Sequence, residues 1–185
     1  YISQFDKIYS GIDWGWYPDP FAFVKVYFDI ARRNLYIFAE FRANKLSNKA
    51  TYDILYNEKK LYDEKWLKSI GYTVRQRNFM EMDEIVTADS AEPKSISDYK
   101  SYGGYGCRGA EKGPDSVTYS MKWLQSLNHI YIDPVRCPET LKEFVEYEYE
   151  RDKDEEIISG YPDANNHSID AVRYALERVW KRKGK

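Results

Sequence analysis

The strongest constraint on the fold is a change of hydrophobic period at Thr51. Before it, three segments rich in Val, Ile, Phe and Tyr follow one another, residues 8–14, 22–28 and 34–41, punctuated by Gly11, Gly15 and Asn34. After it, Tyr52, Leu55, Tyr56, Tyr62, Trp66 and Ile70 recur at helical spacing with charges between them, and Gly71 stands where a C-terminal cap belongs. The pattern predicts three successive antiparallel strands and a long amphipathic helix crossing back over them. Further on, residues 84–88 read as a short strand ending in Asp89, and Pro93 opens a helix that Gly103 and Gly104 close after Tyr102. Residues 105–112 read as a Gly-rich cationic loop, Pro114 opens a helix carrying Val117, Met121 and Leu124, and residues 129–133 give another strand. Pro138 starts a helix through Leu141, Phe144 and Val145, and Ile169, Val172, Leu176 and Val179 stripe a last helix begun by Asn165 or Asn166. Strands first, then helices alternating with strands, predict an α/β domain: a mixed central sheet, antiparallel and then parallel, flanked by helices.

Size and charge narrow the partners. The 185 residues fit about one compact domain, and 28 Lys+Arg against 30 Asp+Glu leave a net charge of -2, so no global basic field draws the chain to a polyanion. No apolar run approaches the ~20 residues of a membrane span, and no membrane partner is expected. Cys107 and Cys137 match neither a zinc spacing with His129 and His167 nor a disulfide framework, which points to a reducing cytosol. The chain opens at Tyr1 with no initiator Met and no targeting signal, and reads as a piece of a longer protein.

Three acids carry the chemistry. Asp13 lies in a Gly11-Ile12-Asp13-Trp14-Gly15 strand whose glycines allow a backbone to come close, Asp89 ends a strand, and Asp170 falls in the first turn of the last helix. Any one of them alone is most simply a cap or turn former. Together, separated by 76 and 81 residues, they can meet only through the fold. Three anions in one pocket demand a cation, and hard carboxylate oxygens select magnesium or manganese over zinc. Ions held by few carboxylates keep positions open for phosphate oxygens and water, so phosphoryl hydrolysis fits. His167, three residues before Asp170, shares its helix face and is a ligand, a water-orienting group, a proton shuttle or a helix cap. Asp163, Glu92 and Asp133 read as turn residues first.

These residues carry a resemblance. Gly-Ile-Asp-Trp-Gly at 11–15, Ala-Asp-Ser-Ala-Glu-Pro-Lys at 88–94, Gly-Pro-Asp-Ser-Val within 112–124 and Asn-Asn-His-Ser-Ile-Asp-Ala-Val-Arg-Tyr-Ala at 165–175 resemble the nuclease domain of tailed-bacteriophage terminase large subunits. The likeness runs over nearly the whole chain. It implies a single ribonuclease H-like domain in residues 1–185, to which the alternation of Tyr147 and Tyr149 with Glu adds an extra β-hairpin near 145–160. It also implies a nuclease that cuts concatemeric viral double-stranded DNA at the start and end of genome packaging. By motif position the acids binding two divalent ions, Mg2+ or Mn2+, are Asp13, Asp89 and Asp170, with His167 as a fourth catalytic residue. The family further implies an ATPase motor domain, a small terminase subunit and a portal protein as partners, in the cytoplasm of the bacterial host. No G-x-x-x-x-G-K-[ST] loop occurs in these residues, so this stretch is expected to cut DNA without moving it.

A nuclease of this net charge must concentrate its cations. Arg108 and Lys112 in the Gly-rich loop, then Lys94 and Lys100 beside the second acid, are the DNA-binding candidates, whereas Arg75, Arg77 and the 181–185 tail read first as solvated surface. No base-reading element is visible, so little sequence preference is expected. Residues 139–156 hold 9 acids against 3 bases and read as a solvated strand pair or, alternatively, a negatively charged flap. Two rival readings remain: a Holliday-junction resolvase, which shares the Gly-x-Asp-x-Gly strand, and a non-catalytic docking module of the same fold. An actin-like kinase is excluded by length.

Overall fold

The computed structural model describes residues 2–57, 80–148, 153–156 and 160–181. After a short 3-10 turn at Ile2–Gln4, strands β1 (Ile8–Asp13), β2 (Phe21–Asp29) and β3 (Asn34–Ala43) form an antiparallel meander, as their β-branched and aromatic runs predict. Helix α1 (Asn48–Asn57) begins three residues before the period change, because the Ser47 hydroxyl accepts from the Ala50 N–H and starts the first turn. The continuation expected through Tyr62, Trp66, Ile70 and Gly71, and the cations Arg75 and Arg77, lie outside the described residues. Then come β4 (Val86–Ala88), α2 (Pro93–Tyr102), β5 (Cys107–Gly109), α3 (Ser116–Gln125), β6 (His129–Ile132), α4 (Pro138–Glu146), α5 (His167–Ala175) and α6 (Glu177–Trp180). Gly103, at φ +121°, closes α2 as expected.

The six strands run in the order β5-β4-β1-β2-β3-β6, with β4 and β5 parallel to β1 on one side and β6 parallel to β3 on the other. The mixed α/β expectation holds. Residues 105–112 differ from it: they contain the edge strand β5, too short and too rich in Gly for a periodic signal, and fixed by pairing Thr87 with Arg108. The last helix is also interrupted at Leu176, where the chain restarts as α6. The described part of the expected hairpin shows a turn at Lys153 and Asp154 and no strand, and the rest of that hairpin lies outside the described residues.

Both sheet faces are buried, which is why β2 reads Phe-Ala-Phe-Val-Lys-Val rather than as a clean alternation. Phe21, Phe23 and Phe41 pack with Tyr52, Leu55 and Tyr99 of α1 and α2. Val24, Val26 and Leu35 pack on the opposite face with Ile169, Val172, Leu176 and Trp180. On that second face β1 meets α5 backbone to backbone: a Cβ on Gly11 would lie 1.9 Å from the Ala171 carbonyl oxygen and 2.9 Å from the Ala175 nitrogen. Only glycine fits there. Gly11→Ala is therefore expected to cost about 3 kcal/mol or more, since backbone rather than a movable side chain must give way. Urea denaturation of the two proteins checks this, and a loss below about 1 kcal/mol would contradict the contact.

Candidate active site

The Gly11 contact sets β1 directly beneath α5, and the two elements carry Asp13 and Asp170 out of the same end of the sheet. Parallel pairing of β4 with β1 then adds Asp89, whose backbone N–H donates to the Ile12 carbonyl at 3.0 Å. Strand ends beside a reversal of strand order are where α/β sheets open a crevice. Asp13, Asp89, Asp170 and His167 all line one cavity of about 500 Å³, with Trp14, Asp19, Lys112, Asp163, Arg173 and Tyr174 also in its wall. Residues remote in sequence thus share a cleft.

Each carboxylate has a partner of its own. His167 Nδ1 lies 3.2 Å from Asp13 Oδ2, and its Nε2 lies 3.5 Å from Asp19 Oδ1. Asn166, and not His167, holds the N-cap position of α5, and both ring nitrogens of His167 face carboxylates. The Lys112 ammonium lies 2.5 Å from Asp89 Oδ1, which also accepts the Ala91 N–H at 2.9 Å, so Asp89 both forms a turn and faces the cleft. Arg173 Nη1 lies 2.5 Å from Asp170 Oδ1, while Asn166 Nδ2 donates to Oδ2 at 3.2 Å. Asn166 occupies the N-cap position of α5 without a side-chain cap bond; its amide serves Asp170 instead.

Burial sets the proton affinities. Desolvation raises Asp13, partly offset by the His167 bond, and the same bond raises His167 against its own desolvation. Desolvation pushes Asp170 up to about 6, with Arg173 holding it from going higher.

Several supporting residues left little trace in the sequence. Arg173 is a charged residue buried in a helix, held also by its Nε donating to Ser120 Oγ at 2.6 Å. Its spacing of three from Asp170 is the one signal that marks it. Glu143 of α4 accepts the Ser168 N–H at 2.7 Å at the start of α5, and Arg42 of β3 pairs with Glu143 at 2.8 Å. Glu40, also on β3, accepts the Glu139 and Thr140 N–H groups at the start of α4. Neighbouring charges on β3 thus anchor two helix N-termini. Asp19 was likewise unmarked, hidden in a Tyr-Pro-Asp-Pro turn.

The cation candidates scatter. Lys112 lines the cavity. Lys94 lines a second hollow that shares Trp14 with the first, and it sits 3.9 Å from Asp98. Lys100 is exposed on α2, and Arg108 donates from Nε to Thr87 Oγ1 at 3.0 Å on the adjacent strand. Asp133 accepts the Val135 and Arg136 N–H groups as a turn former, Glu92 precedes α2 without a side-chain cap bond, and Asp163 reaches the cleft wall.

Hard carboxylate oxygens around one cavity are the donor chemistry of magnesium or manganese. Among the described residues, however, no three His, Cys, Asp or Glu side chains are gathered around one point as a ready-made metal group. The donor types fit; their present bonds are to protein cations.

A family model for the terminase RNase H-like domain matches residues 13–178, spanning all four candidate catalytic positions. The chain belongs to that family. It is 37% identical over 184 residues to the terminase large subunit of Bacillus phage SPP1, covering 99% of this chain and 39% of that protein. It is 28% identical over 168 residues to the PBSX phage terminase large subunit of Bacillus subtilis, covering 91% of this chain and 34% of that protein. This terminase domain therefore spans little more than a third of the relatives it matches. Among solved structures, the nuclease domain of the SPP1 large terminase with bound Mn superposes with a TM-score of 0.76 at 36% identity, covering 96% of this chain and 89% of that one.

The raised Asp170 makes a signed prediction. Its folded carboxyl holds a proton more tightly than the unfolded one, so its contribution to stability is present below about pH 4 and is lost as pH rises to about 6. Asp170→Asn cannot ionise and should gain on wild type by about 2 kcal/mol between about pH 4.5 and about pH 7 in the absence of metal. Urea midpoints at the two pH values measure this, and a constant difference would show that Asp170 is not a buried carboxylate.

Proposed function

We propose that this terminase domain is a metal-dependent endonuclease that cuts concatemeric viral double-stranded DNA at the initiation and termination of genome packaging. It would do so by phosphodiester hydrolysis, in the cytoplasm of the bacterial host and with little sequence preference. The observation that carries the reading is the convergence of Asp13, Asp89 and Asp170 on one cavity, from a strand, a strand end and a helix remote in sequence. The likeness to a nuclease domain solved with bound Mn supports it.

Asp13, Asp89 and Asp170 would hold two divalent ions, Mg2+ or Mn2+, which would supply Lewis-acid chemistry for phosphodiester hydrolysis. The chain's own residues do the rest. His167, between Asp13 and Asp19, would orient the Asp13 carboxylate and exchange a proton with a water in the cleft. Arg173 and Asn166 fix the rotamer of Asp170, and Trp14 holds the Asp89 turn by donating its indole N–H to the Asp89 carbonyl at 3.0 Å. Such outer partners keep ligands aimed before any ion arrives. Lys112, with Lys94, Lys100 and Arg108 outside the cleft, supplies phosphate contacts that read charge and not sequence. In the full large subunit we place an ATPase motor domain alongside this one, with a small terminase subunit and a portal protein as partners.

Supercoiled plasmid tests the reading. With manganese or magnesium the wild-type domain should nick and linearise it, and with EDTA it should not. Asp13→Ala and Asp170→Asn should each cut at least ~100-fold more slowly, beyond what loss of an outer partner costs. Cutting by both variants at the wild-type rate would refute the site.

A further inference from the structure

Lys112 stands where an anchored segment meets a free one. Before it, the Ala110 N–H donates to the Ala88 carbonyl at 2.7 Å and the Glu111 N–H to Glu177 Oε1 at 2.7 Å, while the Glu111 carbonyl accepts from the Lys181 ammonium at 2.6 Å. After it comes Gly113, where a side chain would meet nothing within 4 Å. The ammonium touches Asp89 Oδ1 and lies 5.9 Å from the centre of the Tyr174 ring, with 45% of the side chain exposed. The backbone is held while the four-carbon stem keeps its rotamers.

The other two counter-charges of the cleft are not built this way. Arg173 has 5% of its side chain exposed and is bonded at a second point to Ser120. His167 has 15% exposed and lies between Asp13 and Asp19. Lys112 makes no second ion pair among the described residues, and it is the most exposed of the three.

We propose that Lys112 is an exchangeable counter-ion. In the metal-free protein its ammonium neutralises Asp89, and when a divalent ion occupies the cleft it leaves that carboxylate and takes a DNA phosphate oxygen. The inference rests on the nuclease reading above. An ion bound at Asp89 Oδ1 and an ammonium 2.5 Å from that oxygen repel each other, so the two compete for it. A lysine suits the exchange because it binds as a point charge on a flexible stem, whereas an arginine fork would lock onto the carboxylate at two points. The same positive charge first neutralises Asp89 and then lends itself to the substrate.

Metal binding without DNA tests this directly. Mn2+ is titrated into wild type, Lys112→Gln and Lys122→Gln, the last removing an exposed cation on α3, and free ion is read by electron paramagnetic resonance. Lys112→Gln should bind Mn2+ about threefold to fivefold more tightly than wild type, the worth of a part-exposed ion pair released, while Lys122→Gln should match wild type. In calcium, duplex binding by Lys112→Gln followed by fluorescence anisotropy should show a salt slope shallower by about 1, one phosphate contact fewer. Unchanged or weaker Mn2+ binding by Lys112→Gln overturns the exchange, as does equal tightening by both variants, which would be a general field effect. A wild-type domain that neither binds Mn2+ nor nicks plasmid removes the nuclease reading and this inference together. Plasmid nicking by wild type alongside an unaltered Mn2+ affinity in Lys112→Gln removes the exchange alone.

Discussion

Everything at the cleft depends on one close approach. Without a side chain at Gly11, the backbone of α5 settles directly on β1, and two acids 157 residues apart become neighbours. Any larger residue would lift the helix by an ångström or more. Lifting the helix would not unfold the sheet, because β1 still pairs with β2 and β4 through its main chain. It would separate Asp170 from Asp13, and with them the two halves of any shared ion site. Geometric tolerance at such sites is a fraction of an ångström, so the glycine matters to chemistry as much as to packing.

The cleft is electrostatically costly and is compensated in layers. Burial raises the proton affinity of Asp13 and Asp170, so their surroundings disfavour the charged carboxylates. Next to them stand His167, Lys112 and Arg173, one protein cation or potential cation for each acid. Behind these lie the β3 charges: Glu40 holds the start of α4, and Arg42 with Glu143 holds the start of α5. Glu143 reaches the first turn of α5, where Asp170 sits, so a change on β3 would be felt at the acid through the helix it anchors. A near-neutral chain can in this way carry a strongly acidic pocket.

The order of elements was legible because the hydrophobic period changes where the fold changes, from the run Phe21 to Phe28 to the spacing of Tyr52, Leu55 and Tyr56. Strand β5 was not, because three residues of Cys-Arg-Gly carry no period and are held only by pairing with β4. Only Asp13, a carboxylate in an apolar strand, breaks a local pattern; Asp89 and Asp170 sit where turns and first helical turns take acids, and it is the set of three that stood out. Asp19 breaks none, being one more acid in a proline turn. Arg173 and Glu143 look like ordinary surface charges of amphipathic helices, and only tertiary burial gives them partners. Asn166 was legible in position but not in role, because a side chain able to cap a helix can also reach one turn along it.

Under the nuclease reading, the distribution of cations says how DNA would approach. Lys112 is in the cleft, and Lys94 and Lys100 lie on α2, which follows the Asp89 turn, whereas residues 139–156, from the start of α4, are strongly acidic. A duplex would be drawn to the β4–β5 side and repelled from the α4 side, which orients it across the strand ends. So few phosphate contacts give weak binding at physiological salt, because each contact contributes about one counter-ion to the association. A domain with this surface can wait idle on its own and cut only where something else raises the local concentration of DNA. The SPP1 relative is about two and a half times as long as this chain, and under the same reading sequence outside this stretch would supply that concentration.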